Sequence, residues 1–338
     1  MYEELKMNLV SKERLSVVLK TVISIVLIVS LVFGMTACNA SSSNSNNDLE
    51  AILNDTADML LQRNTKPTYG SVGGEWLVFG MSKWGGELPE GWLDSYYEEL
   101  ELHLKNTNGV LDERKYTEYC RVIIALTAMG KNPMDVAGYN LLLPLGDYEK
   151  TTFQGINGAI FALLALDSGN YEVPVNSDAG IQATRDMYID YILDRELESG
   201  GWSLTGDEAD VDITAMAIQA LAKYQEDSEV KEATDRGLSV LSQCQTENGG
   251  FISYGAESCE SIAQTIVALT ELGIPMDDER FVKKGNTLED RLLDFMAEDK
   301  GFKHILEGDS DPMATEQAFY ALVSLNRVNQ GMISLYKM

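Results

Sequence analysis

Apolar residues recur along the chain in two alternating patterns. Six segments are apolar almost all round and rich in small residues. They are GEWLVFGMSKWG from Gly74, EYCRVIIALTAMG from Glu118, GINGAIFALLALDSG from Gly155, DITAMAIQALAKY from Asp212, ESIAQTIVALTELG from Glu260 and MATEQAFYALVSL from Met313. A helix with no polar face must be surrounded by protein. Amphipathic segments alternate with these. In TLEDRLLDFMAED, Leu288, Leu292, Leu293, Phe295 and Met296 share one face, and Glu289, Asp290, Arg291 and Asp294 the other. Similar segments start near Leu49, Trp92, Asp135, Ala183 and Val230. Few stretches alternate with period two. The pattern predicts an all-α fold of two concentric rings, six inner and six outer helices.

The two patterns repeat at roughly 40–55-residue spacing, the mark of a repeat architecture. Gly130, Gly169 and Gly273 stand where inner helices should stop. Between an outer and the next inner helix come LESGGWSL, TENGGFISY and AEDKGFKHI, each a glycine followed by an aromatic. The glycine can take the positive φ that ends a helix. Trp202, Phe251 and Phe302 are then expected to pack back across the turn and tie neighbouring repeats.

The first residues follow another logic. Lys12, Arg14 and Lys20 precede an uncharged apolar run, Val22 to Met35, closed by MTAC. The run is short of the ~20 residues a membrane span needs. A positive flank, an apolar core and small residues before a cleavage point predict a signal peptide over residues 1–37. Cys38 after Thr36–Ala37 resembles the lipobox of bacterial lipoproteins, with Met35 where that family usually has Leu. The resemblance implies lipidation at Cys38. Residues 38–48, rich in Ser and Asn, read as a tether, and residues 49–338 as the folded domain. The expected location is extracytoplasmic, on the membrane through the lipid anchor only.

A net charge of −27 over 338 residues disfavours nucleic acid and anionic head groups as partners. Beyond Cys38 only Cys120, Cys244 and Cys259 remain, with no CxxC pair, and they read as free thiols.

The Gly-aromatic turns followed by an A…AL helix resemble the α/α-toroid superfamily of terpenoid cyclases and protein prenyltransferases, over roughly residues 48–328. The resemblance implies an (α/α)6 toroid whose inner-helix starts line the mouth of a central cavity. Three groups of relatives imply three functions. The triterpene cyclases carry Asp-x-Asp-Asp-Thr-Ala, and this chain has Asp210-Val211-Asp212-Ile213-Thr214-Ala215. Asp212 holds the proton donor's place, but Ile213 replaces the adjacent Asp. From the residues alone Asp212 reads as an ordinary helix N-cap of low pKa. Aromatics, at 8%, are sparse for guiding a carbocation. The prenyltransferases bind zinc through Asp-x-Cys and a later His. Here Glu257-Ser258-Cys259 meets Ala314 at the His position, and His304 lies ten residues earlier. Two ligands do not make a zinc site, so no metal is expected. The cobalamin-transport proteins resemble VDITAMAIQAL and DPMATEQAFYAL at least as well. That family clamps its corrinoid against a second, β-rich domain. With the chain ending at Met338, only half of such a site is expected.

The combined expectation is a surface lipoprotein whose toroid binds a small-molecule or surface ligand, a corrinoid among the candidates, without catalysis and without a cofactor. The alternatives are a cyclase- or prenyltransferase-like enzyme using Asp212 and Asp210, and a structural or adhesive module. The ligand is expected at Glu118, Asn157, Asp210, Asp212, Glu257, Glu260, Gln264, Thr315, Glu316 and Gln317. Such a mouth is acidic and suits a cationic or hydrogen-bonding ligand.

Overall fold

A computed structural model describes residues 48–332 and 335–337. The expected signal peptide, Cys38 and the tether up to residue 47 lie outside the described residues. Residues 48–51 are helical and belong to a first unit that ends at Ala51; the second unit is Ile52–Met338. The described residues of this second unit hold twelve α-helices. These are α1 (52–63), α2 (Trp76–Trp84), α3 (Trp92–Thr107), α4 (Thr117–Ala128), α5 (Tyr148–Thr151) and α6 (Ile156–Ser168). Next come α7 (Arg185–Leu193), α8 (Val211–Leu221), α9 (Ser228–Cys244), α10 (Cys259–Glu271), α11 (Leu288–Leu293) and α12 (Pro312–Asn329).

The even-numbered helices are the apolar ones. Each packs on the next, and α12 returns to α2, which closes a ring of six. The absence of a polar face follows from that position: every residue of α10 from Cys259 to Thr270 is buried. The amphipathic α7, α9 and α11 lie against α6, α8 and α10. A short antiparallel pair, β1 (Ile252–Ser253) and β2 (Ala256–Glu257), is the one strand pair among the described residues. Cys120 and Cys259 are buried free thiols and Cys244 is an exposed one. Among the described residues no helix is long and apolar enough to cross a membrane.

The outer helix expected from Asp135 does not form. Pro133 and Gly138 interrupt the segment, and Ala137 (φ +54°) and Gly138 (φ +87°) take left-handed conformations. Val136 and Tyr139 instead pair as an isolated bridge, while Met134 points to solvent. A 3-10 turn, Leu143–Gly146, and the single turn of α5 occupy the outer position. The α11 stripe is also shorter than its pattern. The helix ends at Leu293; Leu288, Leu292 and Phe295 are buried, and Leu293 and Met296 are half-buried.

The three Gly-aromatic turns are equivalent, and they seat the inner helices. Trp202, Phe251 and Phe302 have no exposed surface. In each turn the carbonyl of the glycine before the aromatic accepts a backbone N–H from earlier in the chain: from Leu197, Thr246 and Ala297. The aromatic's own carbonyl accepts from the cap of the next inner helix: Asp210 N–H at 2.9 Å, Ser258 at 3.0 Å and Asp311 at 2.8 Å. In two copies a threonine closes the clamp. Thr214 Oγ1 accepts the Trp202 N–H at 2.9 Å, and Thr315 Oγ1 accepts that of Phe302 at 2.9 Å. Ile262 stands at this place in the middle copy, where β1 and β2 brace the turn instead. The glycine before the aromatic is needed for close approach. A Cβ on Gly301 would lie 2.7 Å from Ser310 Cβ, and one on Gly250 2.8 Å from the Glu257 carboxylate.

Trp202→Ala is expected to cost about 3–5 kcal/mol, as truncation of a buried aromatic does. Thr214→Val should cost about 1–3 kcal/mol by leaving the Trp202 N–H unpaired. Urea denaturation of the two variants checks both. A loss below about 1 kcal/mol in each, the range of exposed sites, would refute the clamp.

Candidate functional site

The cap of α8 is Asp210, not Asp212. Its carboxylate accepts the Ile213 N–H at 2.9 Å, as Asp311 accepts Ala314 at 2.9 Å in α12 and Ser258 accepts Ser261 at 3.3 Å in α10. Asp212 therefore lies inside the first turn, with Ile213 buried in the core beside it. The expectation of a low-pKa cap fails on both counts. Burial pushes the Asp212 carboxyl up to about 6; Asp210 and Glu260 add to the rise, while the Ser261 hydroxyl and His304 oppose it. Asp212 Oδ1 and Ser261 Oγ are both buried, and the Ser261 hydroxyl is the donor that eases the Asp212 carboxyl.

Around Asp212 the starts of α8, α10 and α12 form a mouth. A cavity of about 240 Å³ is lined by Asp212, Met216, Glu260, Gln264, His304 and Gln317 among others. An open depression of about 540 Å³ adjoins it, sharing Asp212, Ser253 and Tyr254 and adding Asp210 and Ser261. Glu260 is fixed by His304 Nδ1, 2.8 Å from each carboxylate oxygen, and by the Ser258 hydroxyl at 3.1 Å. Gln264 donates to Gln317 Oε1 at 2.8 Å and to the Tyr320 hydroxyl at 2.5 Å, and accepts from Gln219 at 2.9 Å. Over the mouth hangs the turn of the strand pair. Tyr254 (φ +50°) and Gly255 (φ +91°) are both left-handed, as a two-residue type I′ hairpin requires, and the Tyr254 ring is fully exposed.

The remaining expected residues divide. Glu316 is buried at a different place: its Oε1 accepts the Gly73 N–H at 2.7 Å, its Oε2 has no hydrogen-bond partner, and burial raises it to about 8. Nearby Glu75, also raised by burial, accepts from Gly70 and Tyr96 and lies 3.6 Å from Arg121. Glu118 pairs with Arg121 at 2.5 Å. Glu257 is tied to Arg291 and to Thr246, so it braces the strand pair against α11. Thr315 is spent on the Phe302 clamp. Asn157 is half-buried in the first turn of α6, its Oδ1 without a hydrogen-bond partner. So Asp210, Asp212, Glu260, Gln264 and Gln317 share one mouth, and Glu118, Asn157, Glu257, Thr315 and Glu316 do not line it. Sequence reasoning missed Ser261, His304 and Tyr254. The last stood in plain view as the exposed end of TENGGFISY. Among the described residues no three His, Cys, Asp or Glu side chains converge as a metal site, and burial holds the Cys259 thiol well above its usual pKa.

Residues 146–258 and 228–335 match the prenyltransferase alpha-alpha toroid domain. The chain belongs to that family. No curated protein matches it in sequence. Among solved structures, the type II terpene cyclase MstE from Scytonema in complex with merosterolic acid A is 13% identical. The alignment covers 84% of this chain and 98% of the other, with a TM-score of 0.54. The same cyclase with geranylgeranyl dihydroxybenzoate is 12% identical over 85% and 98%, TM-score 0.53. A UGL variant with the saccharide dGlcA-Glc-Rha-Glc is 14% identical over 85% and 97%, TM-score 0.51. At such identities the likeness is one of fold: the toroid supports unlike chemistries.

Asp212 and Glu316 both hold their protons more tightly folded than unfolded. The folded state thus binds more protons, and stability falls as pH rises, from about 4 to about 6 through Asp212 and up to about 8 through Glu316. Asp212→Asn should remove the first slope and Glu316→Gln the second, about 1–3 kcal/mol for the first and about 3–5 kcal/mol for the second at the top of each window. Urea denaturation at pH 4, 6 and 9 reads this. Parallel pH profiles for wild type and Asp212→Asn would contradict the assignment. Asp210→Ala, which removes the true cap, should cost about 1 kcal/mol at neutral pH.

Proposed function

We propose that the toroid captures a ligand at the mouth formed by the starts of α8, α10 and α12 and carries out no reaction on it. The observation that carries this reading is the cavity of about 240 Å³ at the mouth, on which Asp212, Glu260, Gln264, His304 and Gln317 converge. An opening on which a few polar side chains converge is the usual form of a small-molecule site. Glu260, Gln264 and Gln317 line the same cavity, and Tyr254 offers an aromatic face. The chemistry suits an amine, a guanidinium or a hydroxyl donor. A corrinoid is too large for about 240 Å³ and would have to lie across the mouth.

Polyamines such as spermidine, guanidinium compounds such as agmatine, and cobinamide are the probes. At least one is expected to raise Tm with concentration, as ligands of the folded state do. For a cationic probe the effect should strengthen as pH rises through about 6, where Asp212 ionises, and should vanish in the double variant Asp212→Asn, Glu260→Gln. No shift with any probe, or a shift that survives in that variant, would overturn the reading.

A second reading is favoured by one observation: an Asp212 carboxyl raised to about 6 and facing a cavity is chemically a candidate acid. Against it, the aromatic chamber below, bounded by Trp76, Phe161, Tyr320 and Tyr336, is only about 100 Å³, where ligand pockets run to roughly 300–1,000 Å³. Incubation with squalene and shorter prenyl substrates should release no cyclic product. A product that disappears in Asp212→Asn would replace binding with catalysis.

We also propose that Cys38 is lipidated and holds this mouth outside the membrane. The lipobox-like MTAC and the basic, apolar leader support this. Cys38→Ser should leave a larger precursor or release the protein from membranes. Unchanged partition with unchanged mass would exclude the anchor.

A further inference from the structure

The far end of the ring is closed by the chain's own last residues. Leu335 is fully buried and Tyr336 nearly so. The Tyr336 ring stacks on Phe79, with centroids 5.5 Å apart and planes 17° apart. Its hydroxyl donates to Gln219 Oε1 at 3.0 Å. The Leu335 N–H donates to Glu271 at 2.7 Å, and the Lys337 carbonyl accepts from Lys83 at 3.3 Å. No helix or strand includes this segment.

Space remains on both sides of Tyr336. Inside is the chamber of about 100 Å³; outside is a cavity of about 340 Å³ at the ends of α6, α8 and α10. The two share Leu164, Gln219 and Tyr336 as walls, so the tyrosine is the partition between them. Protein interiors are packed as densely as organic crystals, with few voids larger than a water. A side chain with voids before and behind it is not packed as core. Segments without regular backbone pairing are also those that open at low cost.

We propose that Tyr336 is a displaceable stopper, and that the space it occupies beside the chamber is a second ligand site, entered from the far end of the ring and selective for a flat aromatic group carrying one hydrogen-bond donor. The occupant now in place defines the chemistry. A replacement must cover the face of Phe79 and satisfy Gln219 Oε1, which would otherwise be a buried acceptor with no donor. The orientation of that amide is fixed. Gln219 Nε2 donates to the backbone carbonyl of Gln264 and to its Oε1, both at 2.9 Å, so Oε1 must face the chamber. The site therefore takes a phenol-like donor and refuses an ether of the same shape. It does not depend on the mouth binding anything.

The probes are 1-naphthol and 1-methoxynaphthalene, close in shape and different in the donor. Hydrogen exchange on the unmodified protein is the first readout. Residues 335–337 should exchange well before the core of α12, and saturating 1-naphthol should speed them at least tenfold while the ring helices stay protected. Tyr336→Ala is the second. It should bind 1-naphthol at least tenfold more tightly than the unmodified chain, because the site no longer has to open first, and should bind the methoxy compound less tightly than the naphthol. Adding Asp212→Asn should leave these affinities unchanged, which separates this site from the mouth. Exchange of 335–337 together with α12, protection unaltered by 1-naphthol, or equal affinity for the two probes would each overturn the proposal.

Discussion

The structure depends on how each outer segment hands the chain to the next inner helix. That hand-over is a backbone clamp around a buried aromatic. In the copies at Trp202 and Phe302 a threonine from the following helix accepts the aromatic's N–H, and the helix cap donates to its carbonyl. The clamp does two things at once. It pairs backbone groups that would otherwise be buried and alone. It also sets where an inner helix begins, which fixes what stands in its first turn. Asp212 faces an opening, and does not cap its own helix, because the clamp assigns the cap to Asp210, with Thr214 one turn on.

The same seating explains the chemistry of the mouth. Three helix starts brought to one level present several acidic side chains in a small volume, partly out of water. Carboxyls there compete for protons and for few donors. Glu260 is supplied by His304 and Ser258, and Asp212 by the Ser261 hydroxyl.

Much of the architecture was legible in the sequence because burial on all sides leaves a long signal: six segments such as SIAQTIVALT cannot sit at a surface. The Gly-aromatic turns were legible because φ and close approach restrict residue type. What did not carry was local. The segment from Asp135 has helical periodicity, but Pro133, Ala137 and Gly138 turn it into a bridge. At the mouth, Asp210, Asp212, Glu260, Gln264 and Gln317 were found from their place at helix starts. Their neighbours were not, because His304 and Tyr254 reach it from turns whose geometry no periodicity encodes. Glu257 and Thr315 have the right residue type at the right place and are consumed by Arg291 and Phe302, contacts with no trace in composition.

The buried amides have a consequence for assembly of the ring itself. Repeats so alike could pair in more than one way, and an inner helix shifted by one turn would still bury leucine against leucine. Gln219, Gln264 and Gln317 lie on three successive inner helices and are joined amide to amide, with Tyr336 at the Gln219 end and Tyr320 on the central Gln264. Directional groups largely withdrawn from water tolerate no such shift, since each would lose its partner. Three glutamines thus act as a key that records which helix belongs beside which, a function a purely aliphatic core of the same volume could not perform.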